Sequence, residues 1–165
     1  MFLTAMTTSL KNGQLGSAKA SAESCARAVM ETVPLLARYI GAEMRRSGNL
    51  QVSMPQLKVL AFISRNPGTS LTCAAEDLAV TAATASNLVD RLVKRGYVRR
   101  VEDPNERRKV LLSLTESGTV HLELCRQFAQ ASVAALIADL PQAKLLKVME
   151  GLNILKEAFD EESRK

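Results

Sequence analysis

From Ala22 to about Arg46 the apolar positions Val29, Val33, Leu36, Ile40 and Met44 recur at spacings of three and four. That period predicts a long amphipathic helix. Arg45 and Arg46 in its last turn, then Ser47-Gly48-Asn49, close it. Pro34 lies inside and brings no backbone donor, so a kink is expected near Val33. Ser53-Met54-Pro55 reads as an N-cap with proline in the first turn, opening a helix to about Arg65. Leu57, Leu60, Ala61 and Ser64 line one face, Val59, Phe62 and Ile63 widen the stripe, and Asn66-Pro67-Gly68 stops it. Thr72 is expected to cap a short helix through Leu78, Ala79-Val80 to make the turn, and Thr81 to cap the next helix.

That next helix, Ala82 to Arg95, has a clean core face in Ala85, Leu88, Val89, Leu92 and Val93. Its other face centres on Ala83, Asn87, Asp90 and Lys94, flanked by Thr84, Ser86 and Arg91, and Gly96 stands at the C-cap. Two strand-forming runs follow, Tyr97–Glu102 and Lys109–Leu114, around the turn sequence Asp103-Pro104-Asn105-Glu106-Arg107-Arg108. Val110, Leu112 and Leu114 are the set expected to pack on the helices. Helix restarts at Thr115-Glu116-Ser117-Gly118, runs to about Asp139 and stops before Pro141. In a last helix, Gln142 to Glu161, the residues Leu145, Val148, Leu152, Leu155 and Phe159 step 3, 4, 3, 4, the seam of a helix that packs along another. The fold class is mainly α with a small β wing: a winged helix-turn-helix plus a helical region from the two chain ends. Such a module is shaped for duplex nucleic acid. The division is a tail over 1–20, an N-terminal dimerisation helix over 21–52, a winged helix-turn-helix over 53–115 and C-terminal dimerisation helices over 116–165.

Composition refines this picture. The chain has 165 residues, 47% of them apolar but only 4% aromatic, so Ala, Leu and Val must fill the core. Its net charge is +5 and its pI about 9.3, which permits an anionic partner. From Thr81 to Val110 there are eight basic residues against four acidic ones, so most of that surplus sits where the shape predicts DNA. Asp90 argues against a phosphate at its own position; it pairs with Lys94 or orients Arg91. Cys25, Cys73 and Cys125 are widely spaced and His121 is the sole histidine, so no metal site and no cofactor are expected. Reduced thiols, no apolar run of membrane length and no signal peptide predict a cytoplasmic protein. No nucleophile–base pair or phosphate loop can be placed, so an enzyme is not expected.

The span from Pro55 to Gly118, with AEDLAVTAATASNLVDRLVKRGYVRR and then DPNERRKVLLSLTESG, resembles the MarR family of winged-helix transcription regulators. The trailing "LT..G" is its most specific element. Two positions depart from the family pattern: Ala79 stands where glycine is usual, and Glu106 where aspartate is. Alanine there leaves a turn that is either right-handed or slightly strained. The resemblance implies a homodimer, probing double-stranded DNA with two winged domains, and a small aromatic or phenolic effector lodged by the dimerisation helices. It implies a wing-tip arginine in the minor groove, assigned to Arg107, with Arg108 in a structural or phosphate pairing.

The residue assignments follow. Thr81, Ala82, Ala83, Thr84, Ser86 and Asn87 are small or polar and let the helix approach base edges, with Arg91 and Lys94 beyond them. Arg99, Arg107, Arg108 and Lys109 serve the wing. Cys25, beside Arg27, is the candidate redox sensor, while Cys73 is expected to pack in the domain core. Arg38, Tyr39 and Arg45 are the candidates for an effector pocket, and His121 reads as a surface or interface residue. The function expected is a sequence-specific regulator, a repressor on a pseudo-palindromic operator. The competing reading is a winged-helix module that binds protein, which would need an apolar recognition face.

Overall fold

The computed structural model describes residues 21–48, 50, 52–102 and 110–162. The elements are α1 (Ala22–Ser47), α2 (Met54–Arg65), β1 (Thr69–Ser70), α3 (Leu71–Asp77), α4 (Ala82–Lys94), β2 (Val98–Glu102), β3 (Val110–Leu114), α5 (Glu116–Ile137) and α6 (Gln142–Glu162). Two compact units emerge, Met1–Ala37 and Arg38–Lys165, divided within α1. In the first unit Met30, Val33, Leu35 and Leu36 are all exposed. The helix runs through Pro34.

The second unit holds the core. Val59, Leu60, Ile63, Val89, Leu92, Leu112 and Cys125 are fully buried there, with Met44, Val98 and Leu122 close behind. Each such side chain contributes about 1.5–3 kcal/mol by leaving water. On α2 the deepest residues are Val59, Leu60, Phe62 and Ile63, so the residues read as widening the stripe are its centre. Gln56 is buried among them, and its Oε1 accepts from Ser53 N at 2.9 Å and Ser53 Oγ at 3.2 Å. That local pairing satisfies a buried amide oxygen and fixes the start of α2.

The sheet has the order β1-β3-β2, antiparallel throughout, with Val98 opposite Leu114, Arg99 opposite Ser113 and Arg100 opposite Leu112. β1 was not expected, and it moves the cap of α3. Thr69 and Ser70 pair with Leu112 and Leu111, so Ser70 ends the strand extended and its Oγ accepts from Cys73 N at 3.2 Å. Ser70, and not Thr72, is therefore the N-cap. Leu112 is fully buried and Leu114 half-buried, but Val110 is exposed because it pairs with Glu102 at the far end of the hairpin. On α6 no residue is buried: Leu145 and Leu155 are half-covered, while Val148, Leu152 and Phe159 face outward. Among the described residues, no helix is long and apolar enough to cross a membrane.

The helix-turn-helix turn resolves the question posed by Ala79. Ala79 N donates to Glu76 O and Val80 N to Ala75 O, both at 3.0 Å, which is a Schellman closure with Ala79 at its left-handed position. Its φ is 51°, so the turn is strained. An L-residue there costs about 1–2 kcal/mol, of which glycine's freer unfolded chain would offset about 0.4–1 kcal/mol. Ala79→Gly should therefore stabilise the protein by about 0.5–1 kcal/mol. The check is urea unfolding at fixed protein concentration, where a midpoint equal to or below the parent's would refute the strain.

Candidate nucleic-acid interface

The recognition helix α4 begins at Thr81, whose Oγ1 accepts from Thr84 N at 3.2 Å and lies 2.9 Å from Thr84 Oγ1. Ala85, Val89 and Leu92 bury one side; Leu88 and Val93 are half-buried at its margins. The opposite side presents Thr81, Ala82, Ala83, Thr84, Asn87, Arg91 and Lys94 to solvent, with Ser86 half-covered. The sequence thus leaves seven of the eight recognition-helix candidates uncovered, with Ser86 at the margin of the buried side. Short side chains at the N-terminal end let backbone amides and the positive end of the helix dipole come close to a duplex.

The wing is less uniform. Asp90 carries an ion pair at 2.8 Å, but its partner is Arg100 on β2, and neither Lys94 nor Arg91 takes that place. Strand alternation explains this: Arg100 shares the face of Val98, which turns toward α4. Arg100 was absent from the sequence-based assignments, although that alternation was available to find it. Arg99 is on the other face and lines a groove with Ile63, Ser64 and Pro67. Arg107, Arg108 and Lys109 lie outside the described residues.

The exit of α4 is bolted to α5. Gly96, at φ 73°, closes α4 as Gly96 N donates to Val93 O and Tyr97 N to Leu92 O. Tyr97 is therefore consumed by the cap, and the strand starts one residue later than its composition suggests. Thr115 Oγ1 donates to Gly96 O at 2.6 Å and accepts from Gly118 N at 2.9 Å, while Thr115 N donates to Tyr97 O. One turn on, the His121 ring stacks on Tyr97 with centroids 4.3 Å apart and planes at 11°. His121 is thus packed, and its Nε2 is buried without a hydrogen-bond partner among the described residues. Burial, and secondly the charge of Arg95, hold its pKa below the ordinary value.

The remaining candidates are dispersed. Tyr39 OH donates to Ser132 O at 3.2 Å, tying the end of α1 to α5. Beside it an apolar groove of about 420 Å³ is lined by Ile40, Ala129, Val133 and Ile137, without Arg38 or Arg45, which are exposed. Cys25 is exposed and Cys125 buried, with burial raising the Cys125 pKa. Cys73 is exposed too, contrary to expectation: as third residue of a helix capped by Ser70, it receives Ser70 Oγ at 3.2 Å and faces out.

A winged helix-turn-helix with a polar recognition face defines a DNA-binding regulator. The MarR family model matches residues 50–109. The uncharacterized HTH-type transcriptional regulator YfiV of Bacillus subtilis is 32% identical over 120 residues, covering 67% of this chain and 69% of YfiV. Among solved structures, the transcriptional regulator Tm0710 of Thermotoga maritima superposes with a TM-score of 0.68 at 23% identity, covering 87% of this chain and 99% of that one. A point mutant of Escherichia coli MarR complexed with operator DNA gives 0.57 at 24% identity, covering 80% and 93%. The chain belongs to the MarR family and is a DNA-binding transcription regulator.

Two outcomes follow from this geometry. Folded His121 resists protonation, whereas the unfolded chain takes up that proton at about pH 6.5. Below that pH the unfolded state binds more protons, so the stabilisation is full above about pH 6.5 and declines as pH falls. His121→Phe keeps a ring on Tyr97 and should remove this slope. Urea stabilities of parent and variant should thus converge or cross between about pH 7.5 and about pH 5.5; a constant difference refutes the assignment. Asp90→Asn releases Arg100 at little cost in stability, under about 1 kcal/mol for so exposed a pair. It should tighten binding to random duplex and steepen the log K against log salt slope by about one. Fluorescence anisotropy across a salt series checks this, and an unchanged slope counts against it.

Proposed function

We propose that this regulator is a homodimeric, sequence-specific transcription repressor that binds a pseudo-palindromic operator and leaves it on a small-molecule or oxidant signal. The observation that carries the proposal is the exposed set Thr81, Ala82, Ala83, Thr84 and Asn87 at the N-terminal end of α4, beside the arginines Arg99 and Arg100 of β2. Asn87 reads adenine, Ser86 and Thr84 accept either base, and Ala82 and Ala83 meet thymine methyl groups. Arg91 and Lys94 hold phosphates, and Arg107 takes the minor groove with Arg108 and Lys109 beside it. That the E. coli MarR mutant crystallises with operator DNA supports the reading through the shared fold.

Dimerisation rests on uncovered apolar surface. Val33 and Leu36 on α1, and Val148 and Leu152 on α6, are exposed at helical spacing. A stable chain of this kind covers such stripes with a second copy. Residues 21–52 and 116–165 then form the dimerisation region, with 53–115 as the DNA-binding domain and half-sites about one helical turn, ~34 Å, apart. For the signal, Cys25 is accessible to oxidants, and Arg38, Tyr39 and Arg45 offer a cationic and phenolic surface to an aromatic anion.

The operator comes first from selection out of a random DNA pool. Against the selected site, Asn87→Ala should lose about 1–3 kcal/mol of preference over random duplex, or roughly tenfold to a hundredfold. Its affinity for random duplex should stay the same. Equal losses on both DNAs would show that Asn87 positions and does not specify.

A further inference from the structure

Between the C-terminal end of α2, the strands β2 and β3 and the start of α5 lies a groove that carries none of the recognition-helix residues. Its volume is about 380 Å³, inside the ~300–1,000 Å³ range of small-molecule sites. Ile63, Pro67 and Leu114 give it apolar walls, and Arg99, Ser64 and Ser113 bring polar groups from α2, β2 and β3. Thr119 completes the rim, its hydroxyl donating back to Thr115 O at 3.1 Å and so offering only lone pairs. Among the described residues, no Asp or Glu lines the groove.

The two neighbouring arginines differ in commitment. Arg100 is neutralised by Asp90, whereas Arg99 has no ion pair among the described residues. A guanidinium with nearby hydroxyl donors favours an anion, and its planar fork matches a carboxylate. The apolar walls favour a ligand with a hydrocarbon body, which a bare inorganic anion lacks. We infer that this groove binds a small organic monocarboxylate, with Arg99 holding the carboxylate, Ser64 and Ser113 donating beside it, and Pro67 and Leu114 covering the body above the buried Ile63. Arg99 is among the wing residues that the sequence assigns to DNA, and where it meets phosphate, ligand and DNA compete for it. That consequence alone rests on the earlier reading.

The test is an NMR titration of the full chain without DNA, following backbone amides, with three probes. Hexanoate should give saturable shifts at Ser64, Arg99 and Ser113 with Kd on the order of 1 mM. Hexylamine, with the same body and the opposite charge, should give none. Inorganic phosphate, a head without a body, should bind at least about tenfold more weakly. Arg99→Gln removes the charge, and Ser64→Leu fills the groove while leaving the charge; each should weaken hexanoate at least about tenfold. The inference is overturned by any of four results: no saturation with hexanoate below about 20 mM, hexylamine binding comparably, phosphate binding as tightly, or hexanoate binding unchanged in either variant. Because no DNA is present, such failure leaves the DNA-binding reading standing.

Discussion

A Cβ added at Gly118 would lie 2.0 Å from the Tyr97 carbonyl oxygen and 2.8 Å from its carbonyl carbon. No side chain fits, so the first turn of α5 rests directly on the backbone that joins the recognition helix to the wing. Thr115 completes the joint by capping α5 with one lone pair and bonding Gly96 O with its proton. The "LT..G" signature thereby gains a physical meaning. It is the fastening through which the orientation of α4 is passed to α5, and it tolerates little change because backbone cannot move aside as a flexible side chain would. His121 on Tyr97 extends the same joint by one turn.

The core spreads this fastening over both ends of the fold. Met44 from α1 and Leu122 and Cys125 from α5 belong to one cluster with Leu60, Val89 and Leu112. The C-terminal part of α1 and the helix α5 are therefore rooted in the hydrophobic core of the DNA-binding domain, whereas α6 adds no buried residue to it.

Much of this was legible in the chain itself, and what was legible is local. The caps at Ser53, Thr81 and Thr115 and the glycine at Gly96 depend on residues within one turn, so their spacing discloses them. The core face of α4 came out of its period for the same reason. What escaped depends on partners distant in sequence. Ser70 displaces Thr72 as a cap only because β1 finds β3 some forty residues later. His121 looks superficial until Tyr97 is brought beneath it, and Cys73 looks buried until Ser70 sets the helix phase. Of the DNA-facing set, the recognition-helix residues were readable as a row, whereas the tip from Asp103 to Lys109 lies outside the described residues.

The pair Asp90–Arg100 shows how an acid can belong on a surface that faces DNA. A carboxylate there repels phosphate, and its ion pair, more than a third exposed, contributes little to stability. If affinity were the only demand, the acid would be dispensed with and the arginine left free. What the pair supplies is direction: it ties the outer side of α4 to β2 and fixes the Arg100 guanidinium against Asp90. One position earlier, strand alternation sends Arg99 to the opposite face, uncommitted. Adjacent arginines of equal charge thus acquire unlike roles. One restrains the angle between helix and wing, and the other stays available to an anion, because a strand turns successive side chains to opposite sides.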